Sequence, residues 1–357
     1  MLALRKMSAS AGLSLSDVQP PAAAQADEVV LAVEAAGICG SDLHIEESAP
    51  SYGFMTSALP VTIGHEFCAR VVEPARNGEG PAAGQRVVVR PSVACNACAA
   101  CMSGAEDDCT HRTGIGVRRD GAFAARVVAP ARNCLVVPPG VSPTLAALAE
   151  PLSVGLQAVL RAGVERGQRV LVIGPGTIGQ AAALFAREAG AVEVAIAGRD
   201  DGPRLSVLRR MGFDLLVDTA AHGNLRAALA ATGQPLAYDA VIEASGAAPM
   251  VAQGLDVLRP GGVLCACGIP GAPVAVDLAA LVRRNHQIRG SYRAPAAQWP
   301  KVLAFIAAHP EWLEPMVTHR LPLSQALEGF ALSRSRQASK VMLMPGVRAD
   351  EIPEARP

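Results

Sequence analysis

Four cysteines within fifteen residues carry the strongest chemical signal of the sequence: Cys95, Cys98, Cys101 and Cys109, spaced C-x2-C-x2-C-x7-C. Four thiolates this close together fill every position around a tetrahedral zinc ion, as in structural zinc sites. A ferredoxin cluster would need a last gap of three residues followed by proline, whereas Thr110 follows a gap of seven. A nucleic-acid-binding zinc ribbon has its two C-x2-C pairs much further apart. The run therefore predicts a structural zinc site.

A second set of metal-binding residue types lies around this run. Cys39 offers a thiolate, His65 and Glu66 offer an imidazole beside a carboxylate, and Glu150 offers a second carboxylate. A catalytic zinc takes about three protein ligands and keeps one position open. Cys39, His65 and either glutamate can supply them. Spacing alone does not decide between this site and simpler structural roles. In those roles Cys39 is a buried thiol, His65 a core histidine and Glu150 a charge at the start of a helix.

A glycine-rich turn, G-P-G-T-I-G over residues 174–179, follows the apolar run Val170–Ile173 and opens an Ala-rich, helix-like segment. In that context G-x-G-x-x-G indicates a dinucleotide site, because the glycines let the backbone approach a pyrophosphate. The helix N-terminus adds N–H donors and a partial positive charge. The residues predicted to bind the cofactor here are Gly174, Gly176, Thr177, Ile178 and Gly179.

The end of the next strand bears on the choice of cofactor. NAD enzymes have an acidic residue there, which binds the ribose hydroxyl. Counted from the glycine turn, that position falls on Gly198 or Arg199 in this sequence. Arg199 can bind a 2′-phosphate through its guanidinium, which slightly favours NADP. Asp200 and Asp201 follow directly, so NAD remains an alternative cofactor. The simpler interpretation of Arg199 is a solvated charge in a loop.

The elements that must position these residues change in character along the chain. The first 150 residues contain short β-branched runs such as Val29–Val33 and Arg86–Val89, which predict an all-β region with loops. From about Glu150, apolar strands alternate with helix-like segments, which predicts a parallel sheet with helices on both faces. After about Gly290 a helix and the strand-like run Lys340–Met344 return to the first region.

Composition narrows the function classes. The 357 residues are 50% hydrophobic and 18% charged, and 32 basic residues balance 32 acidic ones without a block of like charge. This balance argues against nucleic acid as a partner. The sequence contains no run of 18 apolar residues, so no membrane helix is predicted. Met1–Gly12 lacks the apolar core of an export signal. We expect a cytoplasmic protein whose nine cysteines are metal ligands and buried thiols.

Together these segments resemble the zinc-containing medium-chain dehydrogenase/reductase family, and within it the sorbitol (polyol) and threonine dehydrogenase branches. The resemblance is carried by residues 37–44, 64–66 and 150–155, by the cysteine run and by the glycine turn, and it covers nearly the whole chain. It implies an α/β fold, with a GroES-like β domain plus a Rossmann domain containing a doubly wound parallel sheet. The implied limits are 1–151 for the GroES-like catalytic domain with both zinc sites, 152–289 for the Rossmann domain and 290–357 for the return to the catalytic domain.

Carried over to this chain, the resemblance assigns the catalytic zinc to Cys39 and His65. Glu66 matches a carboxylate that binds the metal directly in the polyol branch and more often lies behind the ligands in ordinary alcohol dehydrogenases. Glu150 matches a glutamate that, in the polyol branch, holds the metal directly or through water. The four-cysteine run matches the lobe that holds the structural zinc.

The resemblance also implies roles outside the metal ligands. Ser41 and His44 match the hydroxyl and imidazole of a proton relay. Arg293 resembles a polyol-branch residue near the substrate, and Gly268 lies after a strand beside the nicotinamide. The missing acid at Gly198 or Arg199 departs from the family's usual pattern for binding NAD.

The implied activity is hydride transfer between a secondary alcohol (a polyol, sugar or similar compound) and NAD or NADP, with two zinc ions per chain. The partners implied are a small alcohol or ketone and further copies of the chain in a homodimer or homotetramer, with neither nucleic acid nor membrane. One alternative is an amino-alcohol enzyme similar to L-threonine 3-dehydrogenase. Another is a non-catalytic NADPH-binding zinc protein on the same fold.

Overall fold

A computed structural model describes residues 1–347. The chain forms two compact units, one made of residues 1–150 together with the segment from 299 onward, and one made of residues 151–298. These units follow packing, and the domain limits expected from the sequence stay a prediction. The predicted α/β class with a Rossmann-type parallel sheet is confirmed by the strand order of the second unit.

Strands are short in both units. In chain order they are β1 (Leu2–Lys6), β2 (Ser14–Asp17), β3 (Glu28–Gly37), β4 (Val61–Thr62), β5 (Glu66–Glu73), β6 (Arg86–Val89), β7 (Ser92–Val93), β8 (Thr113–Gly114), β9 (Arg126–Pro130), β10 (Cys134–Val136), β11 (Arg169–Ile173), β12 (Glu193–Gly198), β13 (Leu216–Asp218), β14 (Tyr238–Glu243), β15 (Leu258–Ala266), β16 (Gln287–Gly290), β17 (Val317–Pro322) and β18 (Lys340–Met344).

Helices lie mostly in the second unit and near the end of the chain. They are α1 (Gly40–Glu46), α2 (Ala99–Met102), α3 (Pro143–Ala146), α4 (Ala149–Ala162), α5 (Thr177–Glu188), α6 (Gly202–Arg210), α7 (Leu225–Ala230), α8 (Ala248–Asp256), α9 (Leu278–Arg283), α10 (Trp299–Ala308), α11 (Pro310–Leu313) and α12 (Ala326–Arg334).

The first unit is organised by a seven-stranded sheet. Its strands lie in the order β10-β6-β5-β3-β18-β17, and β9 also pairs with β3. Because β3 has neighbours along both edges, its residues are mostly buried. The sheet therefore joins the start of the chain to its end, and Gly37 of β3 pairs with both Glu66 of β5 and Met342 of β18.

The expectation of an all-β first region was wrong in part. Helix α1 directly follows β3, a 3-10 helix covers Pro50–Ala58, and α2 and α3 add two short turns of helix. Segments of four to seven residues make fewer than two helical turns, so they show too little 3.6-residue periodicity to be recognised. Helix α1 matters because it carries Ser41 and His44.

The second unit contains a six-stranded parallel sheet in the order β13-β12-β11-β14-β15-β16. Numbered within the unit, this is the 3-2-1-4-5-6 order of dinucleotide-binding folds. Its central strand β11 is an apolar run with four of five residues buried, as expected for a parallel strand covered on both faces. The order places the topological switch point between β11 and β14, where ligands bind in such sheets.

One helical stretch of the described chain, Pro143–Ala162, is long and apolar enough to cross a membrane by length and composition. Of its most apolar window, 67% is buried inside the protein. Buried core helices pass the same test, so this stretch is weak evidence for a membrane span.

Candidate metal and dinucleotide sites

Three predicted metal ligands converge where β3 and β5 lie side by side. Cys39 follows the end of β3, and His65 and Glu66 lie at the start of β5, which pairs antiparallel with β3. The sulfur of Cys39, a ring nitrogen of His65 and a carboxylate oxygen of Glu66 all lie within 4.8 Å of one another. A thiolate, an imidazole and a carboxylate are the donor types that zinc binds.

Asp42, which the sequence did not single out, orients two members of this cluster. It is fully buried, accepts a hydrogen bond from the Cys39 backbone N–H at 2.9 Å, and lies 3.4 Å from Nδ1 of His65. Burial alone would lower the pKa of His65, but Asp42 and Cys39 together outweigh burial and raise that pKa well above its usual value. A carboxylate behind a ligating histidine fixes the orientation of the ring. The other ring nitrogen, Nε2, lies 3.2 Å from Ser41 Oγ.

Glu66 divides its carboxylate between two environments. Oε2 accepts a hydrogen bond from the ammonium of Lys340 at 2.7 Å, and Lys340 also donates to the carbonyl of Ile38 at 2.8 Å. Oε1 is buried and has no hydrogen-bond partner among the described residues. A buried carboxylate oxygen without a donor fits a metal ligand, since an unsatisfied buried acceptor is costly.

Glu150 lies close to this cluster, but it does not belong to the group of side-chain donor atoms that all lie within 4.8 Å of one another. Burial raises the pKa of Glu150 to about 7, His65 and Lys340 oppose the rise, and the Glu66 carboxylate adds to it. The side chain starts helix α4, so its position is set by a different element from the strands that hold Cys39 and Glu66. The geometry brings Cys39, His65 and Glu66 together and leaves Glu150 as a neighbour.

Tyr52 is a further neighbour of this cluster. It lies in the 3-10 helix, and its ring stacks on His44 with centroids 6.4 Å apart. Burial raises the pKa of the Tyr52 phenol to about 12, and the nearby Cys39 adds to the rise. The phenol is therefore a neutral hydrogen-bonding group beside the metal cluster. His44 itself is half exposed and follows Ser41 by three residues on α1.

The four-cysteine lobe also converges. All four sulfurs lie within 4.8 Å of one another, with 3.5 Å between Cys98 and Cys101 and 3.9 Å between Cys95 and Cys101. A zinc–sulfur bond of about 2.3 Å puts tetrahedral sulfurs about 3.8 Å apart. Backbone hydrogen bonds lower the pKa of Cys98 to about 5, towards the thiolate form that binds metal, whereas burial raises the pKa of Cys101 to about 12. Strands β7 and β8 pair antiparallel and close the two ends of the lobe.

The glycine turn of the second unit has the geometry its sequence predicts. Gly174 follows β11 with φ +106°, Gly176 caps helix α5, and Thr177 and Ile178 form its first turn. A Cβ at Gly179 would collide with the carbonyl of Gly174, so this glycine closes the turn. A Cβ at Gly176 would meet no described atom within 4 Å, so the backbone there is open to a ligand.

The remaining predicted residues are distributed around the second unit. Arg199 is exposed in the bend between β12 and α6. Gly268 is required by a close approach, because its Cβ would collide with the backbone of Gly246. Arg293 has φ +59° and places its guanidinium 4.4 Å from the ring centre of Tyr292. Its role at the substrate stays a prediction.

Two family models match the chain in succession. The alcohol dehydrogenase GroES-like domain matches residues 25–139, and the zinc-binding dehydrogenase model matches residues 177–308. L-threonine 3-dehydrogenases of Paraburkholderia phytofirmans and Escherichia coli are each 32% identical over 344 residues. These alignments cover 96% of this chain and 98% and 99% of the two relatives.

Solved structures show the same architecture. A protein described as a zinc-binding dehydrogenase from Sinorhizobium meliloti 1021, bound to NADP, superposes with a TM-score of 0.85 at 28% identity. An alcohol dehydrogenase from Thermus sp. ATN1 superposes with a TM-score of 0.84 at 27% identity. Each match covers 96% of this chain and 99% of the other.

The expected use of zinc and of a nicotinamide cofactor agrees with the family models and with both side-chain clusters. The relatives cover nearly the full chain above 30% identity, and the sheet order is that of the cofactor-binding fold. The chain belongs to the zinc-containing medium-chain dehydrogenase/reductase family and is a zinc-dependent NAD(P) dehydrogenase of alcohols.

Proposed function

We propose that this enzyme transfers a hydride between a secondary alcohol group of a small polyol or sugar and NADP. The observation that carries the proposal is the cluster of Cys39, His65 and Glu66 with a serine hydroxyl 3.2 Å from the imidazole. In this proposal these three residues hold the catalytic zinc and Glu150 stands beside them. Cys95, Cys98, Cys101 and Cys109 hold the structural zinc.

When bound, zinc would supply Lewis-acid activation of an alcohol oxygen, and a nicotinamide would supply the hydride acceptor. The chain's own residues handle the proton. Ser41 takes the hydroxyl proton, and His44 passes it to solvent, since half of its side chain is exposed. Asp42 keeps the His65 ring in place, and the glycine turn with the start of α5 binds the pyrophosphate.

Polar groups around the metal cluster support a substrate with several hydroxyl groups. The phenol of Tyr52 and the carboxyl of Glu150 both lie near it, and each can exchange a hydrogen bond with a hydroxyl. A site built to bond a substrate hydroxyl rejects analogues that lack it, because its own polar groups would be left unpaired. Arg293 is a proposed substrate contact that rests on the resemblance alone.

L-Threonine is the second candidate substrate. The relatives at 32% identity over nearly the whole chain are L-threonine 3-dehydrogenases. Threonine is also a secondary alcohol, and its ammonium group would find a carboxylate in Glu150. This candidate therefore has a specific observation in its favour.

Nicotinamide absorbance tests the proposal. Zinc-loaded enzyme is assayed with NAD or NADP against polyols, sugars, simple alcohols and L-threonine. We expect turnover of at least one polyol or sugar with NADP, abolished by a chelator. Turnover of L-threonine alone would replace the polyol assignment with the second candidate. The absence of turnover with every compound would contradict the proposed chemistry and favour the non-catalytic alternative.

Cys39→Ala serves as the site control. It should abolish turnover and leave nucleotide binding intact, because the cofactor turn belongs to the other unit. Unchanged turnover in this variant would refute the zinc assignment.

We further propose a cytoplasmic homodimer or homotetramer that binds neither nucleic acid nor membrane. Strand β16 lies at the edge of its sheet, and Ile288 on it is 41% exposed. Leu278 and Val282, four residues apart on α9, are 67% and 63% exposed. Exposed apolar side chains and an unpaired sheet edge each support contact with a second copy. Sedimentation velocity measures the state, and a monomer at micromolar concentration would contradict this assignment.

A further inference from the structure

Gly198, the last residue of β12, is a glycine for lack of space. A Cβ built there would lie 2.9 Å from Cγ and 3.4 Å from Cδ of Pro175, and 3.3 Å from Cβ of Asp201. Gly198 is not among the glycines with positive φ, so its backbone conformation suits any residue. What excludes a side chain is the ring of Pro175, the second residue of the glycine turn.

Pro175 is held firmly in that position. It is buried, and the N–H of Gly174 before it donates to the carbonyl of Ala197 at 2.8 Å, which ties the turn to β12. The carbonyl of Pro175 accepts a hydrogen bond from the fully buried amide of Gln180 at 2.9 Å. The pyrrolidine ring also fixes its own φ. The ring therefore has little freedom to move away from a side chain at position 198.

Gly198 is held from the other side. Its carbonyl accepts a hydrogen bond from the buried hydroxyl of Thr219 at 3.1 Å, and it pairs with Asp218 across the parallel strands β12 and β13. With both backbones anchored, a side chain at 198 must displace either the strand end or the cofactor turn.

Two acidic residues near the end of β12, Asp201 and Asp218, have other partners. Asp201 is buried at the start of α6, 3.5 Å from the guanidinium of Arg204. Asp218 Oδ1 accepts from the backbone N–H groups of Asp200 and Ala220 at 3.2 and 2.9 Å. These contacts use the two carboxylates within the loops around the strand end.

We infer that Pro175 is a specificity-determining residue for the cofactor. Pro175 occupies the space beside the end of β12, so only glycine fits at position 198. An acidic side chain, which would favour NAD and repel a 2′-phosphate, is therefore excluded from that position. Arg199 then becomes the first side chain after the strand and faces no competing acid at 198. This inference rests on the proposed preference for NADP.

Three variants test the coupling: Gly198→Asp, Pro175→Ala and the double variant. Binding of NAD⁺ and NADP⁺ to zinc-loaded protein is measured by isothermal titration calorimetry, which needs no turnover. Gly198→Asp alone should weaken both cofactors, because the aspartate displaces the turn. The double variant should bind NAD⁺ about ten-fold tighter or more than Gly198→Asp does, as a hydrogen bond to a charged group allows. Equal NAD⁺ affinity in Gly198→Asp and the double variant would overturn the inference.

A stability cycle covers the case in which the aspartate variant does not fold. Gly198→Ala should lower Tm, and Pro175→Ala should restore most of that loss, whereas Gly202→Ala is the control because its Cβ would meet no described atom within 4 Å. Additive Tm changes for Gly198→Ala and Pro175→Ala would contradict the steric contact. If the unaltered enzyme binds NAD⁺ better than NADP⁺, the proposed preference fails, while the coupling between 175 and 198 is judged separately by these cycles.

Discussion

Replacing Lys340 with methionine should lower the free energy of unfolding of the first unit by about 3–5 kcal/mol, the cost of breaking a buried ion pair by removing one partner. Lys340 and Glu66 are 2% and 0% exposed, and the Lys340 ammonium donates a 2.7 Å hydrogen bond to Oε2 of Glu66. Methionine keeps the length of the side chain, so lost packing contributes little. In metal-free protein, the cost comes from a carboxylate left buried without its counter-charge and from the Ile38 carbonyl left without its donor.

Tryptophan fluorescence during denaturant unfolding measures this change in the correct part of the molecule. The two tryptophans of the chain, Trp299 and Trp312, both belong to the first unit, as Lys340 does. Lys301→Met is the matched control, because Lys301 is exposed on α10. Surface substitutions of this kind usually change stability by within about 0.5 kcal/mol.

The double variant Lys340→Met/Glu66→Gln separates charge from packing. Removing the isolated carboxylate should recover part of the loss, since the remaining amide is neutral. Burial alone would lower the pKa of Lys340, but Glu66, Cys39 and Asp42 together outweigh burial and raise that pKa. The ion pair therefore stabilises the fold fully at pH values below the ordinary lysine pKa, and this stabilisation is lost only as pH rises through the raised pKa of Lys340. The loss of stability in Lys340→Met should therefore be constant between roughly pH 6 and pH 9. A loss for Lys340→Met no larger than for Lys301→Met would refute the reasoning.

Three further changes have defined outcomes. Asp42→Asn should weaken zinc binding at the cluster by about 10–100-fold, as losses of groups behind a ligating histidine do; competition with a chromophoric chelator measures it, and unchanged retention would argue against the orienting role. Arg199→Ala should weaken NADP⁺ about ten-fold or more and leave NAD⁺ unchanged, and calorimetry that shows equal losses for both would remove Arg199 from the phosphate site. Cys98→Ser should reduce bound zinc from two ions to one and lower Tm, because a closed four-thiolate site contributes directly to folding; two zinc ions measured by elemental analysis in this variant would contradict the assignment of the lobe.

The local parts of the site were predictable from the sequence. The cysteine run and the glycine turn each lie within a few residues, so spacing alone limits their geometry. Helix α1 was not predicted, since its seven residues make fewer than two turns and its positions interleave polar and apolar types. Its existence explains how Ser41 comes within reach of His65.

Partners distant in sequence were not predictable. Lys340 lies 274 residues from Glu66, and a lysine opening the run K-V-M-L-M looks like an ordinary charge at the start of a strand. Only the register of β18 against β3 shows that this strand start is buried beside the metal cluster. Pro175 and Gly198 were visible as residues, but their contact depends on the pairing of β11 with β12.

The return of the chain to its first sheet has a consequence for synthesis on the ribosome. Lys340 reaches the Ile38 carbonyl across 302 positions of sequence. At about 5–20 residues per second, a ribosome needs about 15–60 s to make that stretch. Until then the edge of β3 that receives β18 is uncovered, and Glu66 lacks its ammonium partner. A chain that ends before β18 would therefore present an unpaired strand edge and an incomplete metal cluster to chaperones and proteases, so metal loading at Glu66 should follow the synthesis of β18.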